Sequence, residues 1–191
     1  MTSTLRAGPP CLQVWTGAEA TLRRCWVRSA HEGICTMAGP GDAQPPRDGG
    51  PEAVTRLAAH DTKATGCRLC GVRVGRRSQV ELLDCELSGA VSGLSVCGAG
   101  GAVVTAGRVR CVGNSGRGVR VGLGARVVMT GCDLRGNGGG SMCVEGAGTV
   151  LVLAGCEFAG QAEATAGGRV EVRGRGLSGG AAARVCAATW P

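Results

Sequence analysis

Apolar and polar residues alternate along most of the chain in short runs that glycines interrupt at regular intervals. The clearest unit opens with Gly131-Cys132-Asp133-Leu134-Arg135-Gly136-Asn137 and continues through Met142-Cys143-Val144 and Val150-Leu151-Val152-Leu153. The next opens with Gly155-Cys156-Glu157-Phe158-Ala159-Gly160-Gln161, so the period there is 24 residues. Each unit holds three alternating runs, and an alternating run places one set of side chains on each face of a strand. The runs are too short for helices, and the residues between them lack helical periodicity. The pattern therefore predicts an all-β chain: a right-handed parallel β-helix solenoid of about six to seven coils, each of 23–24 residues.

Several positions can be followed from unit to unit as columns. One reads Cys25, Thr62, Cys85, Val109, Cys132, Cys156, and a second, two residues on, Val27, Ala64, Leu87, Cys111, Leu134, Phe158. A third reads Ala30, Cys67, Ala90, Asn114, Asn137, Gln161, where Asn114 and Asn137 are expected to form a short inward amide ladder. A fourth begins the next strand with Ile34, Val72, Leu94, Val119, Met142. The third strand is expected to align Leu22, Leu57, Val80, Val103, Val127, Val150 and Val170, with a weaker last turn through Leu177 and Val185. The columns fall out of step once, at the Pro/Gly-rich stretch 38–51, which reads as an inserted loop. The expected organisation is an N-terminal segment 1–20, one β-helix domain over 21–187 carrying that insertion, and a tail at 188–191.

The run apolar-x-apolar-x-x-Cys-x-apolar-x-Gly-Asn, seen from Val127 to Asn137, resembles the repeat of the right-handed β-helix proteins of the pectin-lyase-like superfamily. The likeness extends from about Thr21 to Cys186. It implies a fold rather than an activity, because that fold serves lyases, hydrolases, epimerases and non-enzymatic scaffolds. The signatures of its enzymes are missing. The Asn-Thr-Asp, Asp-Asp, Gly-His-Gly and Arg-Ile-Lys motifs of polygalacturonase-like members do not occur. Asp84, Glu86 and Asp133 do not reproduce the calcium cluster of pectate-lyase-like members. A leucine-rich repeat shares part of the consensus, in Val80-x-Leu82-x-x-Cys85-x-Leu87, but its first leucine would fall on Arg77.

Composition sharpens this picture. There are 36 glycines, one Phe, no Tyr and three Trp, so the core must be built from small branched side chains rather than aromatics. The formal charge is +7, carried almost wholly by arginine, with Lys63 the one lysine. Such a surface favours an anionic partner, and an acidic glycan or a protein is expected. The scarcity of aromatics argues against single-stranded nucleic acid. No stretch approaches the ~20 apolar residues of a membrane span. Twelve cysteines with no leader in view suit a reducing, intracellular compartment. A solenoid has an apolar rung at each end, and neither Met1–Trp15 nor Ala181–Pro191 reads as an amphipathic cap, so the chain is expected either to be a fragment or to associate end to end.

The chemistry on offer is limited. Glu86, Arg110, Asp133 and Glu157 share an outward column with Trp26 and Lys63. Asp133 and Glu157, one rung apart, are the low-priority candidates for a two-carboxylate glycoside site. The same column also makes sense as a ladder of alternating charge. Arg73 and Arg120 share another outward column, with Arg76, Arg77 and Arg117 at nearby turns, and these five form the candidate binding face. Cys67-Arg68-Leu69-Cys70 is a lone C-x-x-C without a second pair, since His31 and His60 do not complete it, and no metal site is expected. The stacked cysteines read as small buried hydrophobes. The Gly98–Gly101 and Gly122–Gly124 clusters open strands rather than helices and read as turns, not phosphate loops. No cofactor is expected. The resulting reading is a non-catalytic module presenting a flat sheet for protein or glycan recognition, with a polysaccharide lyase or glycoside hydrolase as the alternative.

Overall fold

The computed structural model describes residues 12–28, 31–37, 53–98 and 101–173, together with the backbone of two outlying strands, Thr4–Leu5 and Val185–Ala187. Ala30, Leu177, the Pro/Gly-rich stretch 38–51 and the tail 188–191 lie outside the described residues.

The chain winds as a parallel β-solenoid of about six turns, with no helix among the described residues. Each full turn supplies one strand to each of two long parallel sheets and a short strand or a single bridge to a third. The first sheet contains β1 (Thr4–Leu5), β4 (Trp26–Arg28), β7 (Lys63–Thr65) and β10 (Glu86–Ser88). It continues as single parallel bridges through Arg110, Asp133 and Glu157. The eight-stranded sheet contains β2 (Leu12–Trp15), β5 (Glu32–Met37), β8 (Cys70–Val74), β11 (Ser92–Val96), β13 (Arg117–Gly122), β15 (Gly140–Glu145), β17 (Ala162–Thr165) and β19 (Val185–Ala187). The seven-stranded sheet contains β3 (Glu19–Arg23), β6 (Thr55–His60), β9 (Ser78–Leu83), β12 (Val103–Gly107), β14 (Arg126–Thr130), β16 (Val150–Ala154) and β18 (Arg169–Arg173).

Stacking is in register, so the predicted columns become physical rows. Ile34, Val72, Leu94, Val119 and Met142 are successive partners and all are fully buried. In the seven-stranded sheet the inward row is Ala20, Leu57, Val80, Val104, Val127, Leu151, Val170. This corrects the expected alignment at three places. Val103 pairs with Gln79 and Arg126, Val150 with Arg126 and Arg169, and both lie in the outward row, while Leu22 stacks on Ala59. At Val103 and Val150 the cause is the two-residue period of a strand: in Val103-Val104 and Val150-Leu151 both neighbours are apolar, and a slip of one residue exchanges the faces; at Leu22 the slip is of two residues and keeps the face.

Two corners show how the backbone turns without leaving polar groups unpaired. Between the seven-stranded and short sheets one residue per turn is left-handed: Arg24, Asp61, Asp84, Arg108, Gly131 and Gly155, with φ from 48° to 61°. Aspartate tolerates that conformation better than most side chains. Here it is paired along the row, with Arg108 forking onto Asp84 at 2.6 and 2.7 Å and Arg24 lying 3.8 Å from Asp61.

At the corner leading into the eight-stranded sheet the amide ladder is present. Asn114 Oδ1 accepts from the Ala90 N–H (3.1 Å), and Asn114 Nδ2 donates to the Leu87 carbonyl (3.1 Å) and to Asn137 Oδ1 (3.0 Å). Asn137 Oδ1 also accepts from the Asn114 N–H, and Asn137 Nδ2 donates to the carbonyls of Cys111 and Leu134, each at 2.8 Å.

These inward amides dictate what may face them. A Cβ on Gly93 would lie 3.0 Å from Asn114 Nδ2 and 2.8 Å from the Gly118 carbonyl oxygen; one on Gly118 would lie 2.7 Å from Asn137 Nδ2. The ladder stops after Asn137. In the following turn Ser141 Oγ bonds both the N–H and the carbonyl of Ala159, while Gln161 turns outward to Glu163.

Asn114 is 1% exposed and serves one buried donor and one buried carbonyl at once. Asn114→Ala is therefore expected to destabilise the fold by about 1–3 kcal/mol in urea unfolding, the cost of orphaning buried backbone groups. An unchanged midpoint would contradict the ladder.

Candidate functional site

The outward row of the short sheet runs Trp26, Lys63, Glu86, Arg110, Asp133, Glu157, as its spacing in the sequence implies. Strand alternation turns these side chains to solvent while their neighbours Cys85, Leu87, Cys111, Cys132 and Leu134 turn inward and are buried. The row is continuously charge-compensated. Lys63 Nζ lies 3.4 Å and Arg110 Nη1 3.9 Å from Glu86. Arg135, two residues beyond Asp133 and on the same face, bridges both candidate catalytic carboxylates, 2.9 Å from Asp133 and 2.6 Å from Glu157. Asp133 also accepts the Arg135 backbone N–H at 3.1 Å. The Arg135 guanidinium and this backbone bond hold the Asp133 carboxyl below the usual carboxylate range. A glycosidase general acid needs the opposite shift. Sequence spacing brought the column together but missed Arg135; the available signal was its position two residues after Asp133.

The candidate arginines divide into two groups. Arg73, Arg117 and Arg120 stand on the outer face of the eight-stranded sheet, and each is already paired: Arg73 with Glu32 at 2.6 Å, Arg117 with Glu163 at 2.6 Å, Arg120 with Glu145 at 3.6 Å. Arg76 and Arg77 lie in the turn between β8 and β9, Arg77 with φ of 48°. The face is thus an alternation of both signs, with Ser95 between Arg73 and Arg120.

The cysteines do more than fill space. Cys85, Cys132 and Cys156 stand at a corner, and each thiol lies within reach of two carbonyls: Ala59 and Leu83 for Cys85, Ala106 and Thr130 for Cys132, Met129 and Ala154 for Cys156. Thr62, in the same row, donates to the His60 carbonyl in the same manner. Burial pushes the Cys111 thiol up, and Cys35, fully buried beside Glu32, is pushed up to about 12, so both are protonated and unreactive at neutral pH. The lone C-x-x-C is split by the sheet: Cys67 is buried against Ala90, whereas Cys70 is half-exposed in the strand beside Arg73, Glu32 and Ser95. Among the described residues no group of three or more His, Cys, Asp or Glu side chains is placed to hold a metal ion.

One feature of the surface was not foreseen. A shallow groove of about 570 Å³ lies on the outer face of the seven-stranded sheet, lined in part by Glu19, Arg56, Ala58, Gln79, Glu81 and Val103. Among the described residues every carboxylate outside this groove is ion-paired, whereas Glu19 and Glu81 have no partner.

No known protein family, curated protein or solved structure matches the chain.

The Asp133 shift gives a pH test. Its folded value lies below the unfolded one, so the stabilisation is complete above the ordinary aspartate range and is lost as pH falls below about 4. Asp133→Asn is expected to flatten the acid limb of a stability–pH curve there and to leave its neutral-to-alkaline shape unchanged. An acid limb identical to that of the unsubstituted chain would contradict the Arg135 pairing.

Proposed function

We propose that the chain is a non-catalytic β-helix module of the pectin-lyase-like type whose outer sheet faces recognise a protein or a glycan. The observation that carries this reading is the state of the carboxylate row. Asp133 and Glu157 are the pair whose placement suits glycoside chemistry, and one guanidinium clamps both. The Arg135 guanidinium favours the ionised form of Asp133, which opposes protonation of a leaving group. The row also lacks aromatic platforms at its centre: its one aromatic member, Trp26, stands at the end of the described row with Arg28 stacked 5.0 Å from its ring centroid. What remains is a set of stacked rows at a fixed spacing, a rigid surface suited to extended ligands.

The test is incubation with acidic and neutral polysaccharides, scoring retention and new reducing or unsaturated ends together. The expected result is no new ends with any of them. Ends that appear with the unsubstituted chain and vanish in Asp133→Ala or Glu157→Ala would overturn the reading in favour of a lyase or hydrolase centred on Glu86, Arg110, Asp133 and Glu157.

A further inference from the structure

We infer that the groove on the seven-stranded sheet is a binding site for a neutral glycan, gripped by Glu19, Arg56, Gln79 and Glu81. This rests on the recognition reading above and gives it a ligand class and a location.

The four side chains belong to three adjacent rungs. Glu19, Arg56 and Gln79 are successive partners across β3, β6 and β9, and Glu81 lies two residues beyond Gln79 on the same face, next to Ala58. All four are exposed. None has a side-chain hydrogen bond or ion pair among the described residues. That sets them apart from the other described carboxylates, which are taken up by arginine or lysine from the same rung or from one or two rungs away. Polar groups with no internal partner are the ones free to exchange water for a ligand. The groove's volume of about 570 Å³ falls within the range of small-molecule sites, and it is open along the sheet, so a longer chain can pass through it.

The chemistry of the wall selects the ligand. Two carboxylates and an amide oxygen accept hydrogen bonds from hydroxyl groups, the guanidinium donates a fork, and the amide nitrogen donates as well. An oligosaccharide rich in hydroxyls satisfies such a mixed set. An acidic chain would meet Glu19 and Glu81 with only Arg56 to offset them. A cationic ligand would meet Arg56 inside the groove and a chain whose formal charge is +7. The floor supplies small and aliphatic contacts, Ala58 and the 40% exposed Val103, against which the C–H face of a sugar can rest. Without an aromatic platform, affinity depends on the hydrogen bonds and so on the four named residues.

The experiment is affinity electrophoresis of the full chain in gels containing soluble β-glucan, mannan or starch, with polygalacturonate as the acidic comparison. Three variants accompany it, Arg56→Ala, Glu81→Ala and Arg120→Ala, each checked by circular dichroism for the parent β spectrum. All three substitutions fall on outward positions of strands. The expected result is retardation by at least one neutral polysaccharide, weakened roughly tenfold or more in Arg56→Ala and Glu81→Ala and unchanged in Arg120→Ala. Retardation by a neutral polysaccharide that survives Arg56→Ala and Glu81→Ala overturns the assignment of the groove. So does retardation by polygalacturonate alone that is lost in Arg120→Ala, which leaves the recognition reading standing on the arginine face. The absence of retardation in every gel overturns the glycan inference and leaves protein as the partner of the module. Release of new reducing ends overturns the recognition reading itself.

Discussion

The structure depends on one constraint: successive turns stack in register, at the ~4.8 Å spacing of hydrogen-bonded strands. Each side chain then has as its nearest neighbours the residues at the same position one turn before and one turn after. The buried rows are mostly small and branched, Val, Leu, Ala and Cys, with Ile34, Met129 and Met142 among the bulkiest fully buried members. The same rule governs the outside. A row of one charge sign would be repulsive throughout, and Lys63–Glu86–Arg110 followed by Asp133 and Glu157 under Arg135 shows the alternation that avoids it.

Corners are where this constraint is costly, because a sharp turn takes backbone groups out of the sheet ladders. The chain meets the demand with side chains that are themselves stacked. Asn114 bonds the backbone of the preceding turn, Asn137 that of its own turn and of the preceding one, and the thiols of Cys85, Cys132 and Cys156 lie against the carbonyls of another corner. Gly93 and Gly118 are bare because the amides occupy the space a Cβ would need. Cysteine abundance is thus a consequence of corner geometry as much as of core volume.

Much of this was legible in the sequence, for a physical reason. Where one member of an alternating pair is charged and the other apolar, the facing direction is unambiguous; hence the Glu86–Arg110–Asp133–Glu157 row and the Ile34–Met142 row read directly. Where both neighbours are apolar, as at Val103-Val104, the pattern carries no phase and the register slipped by one. Arg135 was missed because a long side chain folds back over a neighbouring rung, and residue spacing records where a chain position is, not where a guanidinium reaches. The groove was invisible for a related reason: it is defined by which outward side chains lack partners, and that requires knowing every pairing around it. Of the five candidate arginines, Arg73, Arg117 and Arg120 are neutralised by Glu32, Glu163 and Glu145, pairings that residue spacing does not record.

In-register stacking closed by side-chain ladders is tested most directly by amide hydrogen exchange resolved to single residues. The amides of Ala90 and Asn114 sit in turns, yet each donates to an asparagine Oδ1 one turn further along. They are expected to exchange as slowly as the strand amides of Leu94 and Val119. Exchange of both at the rate of an open surface turn, while the strands stay protected, would contradict the account.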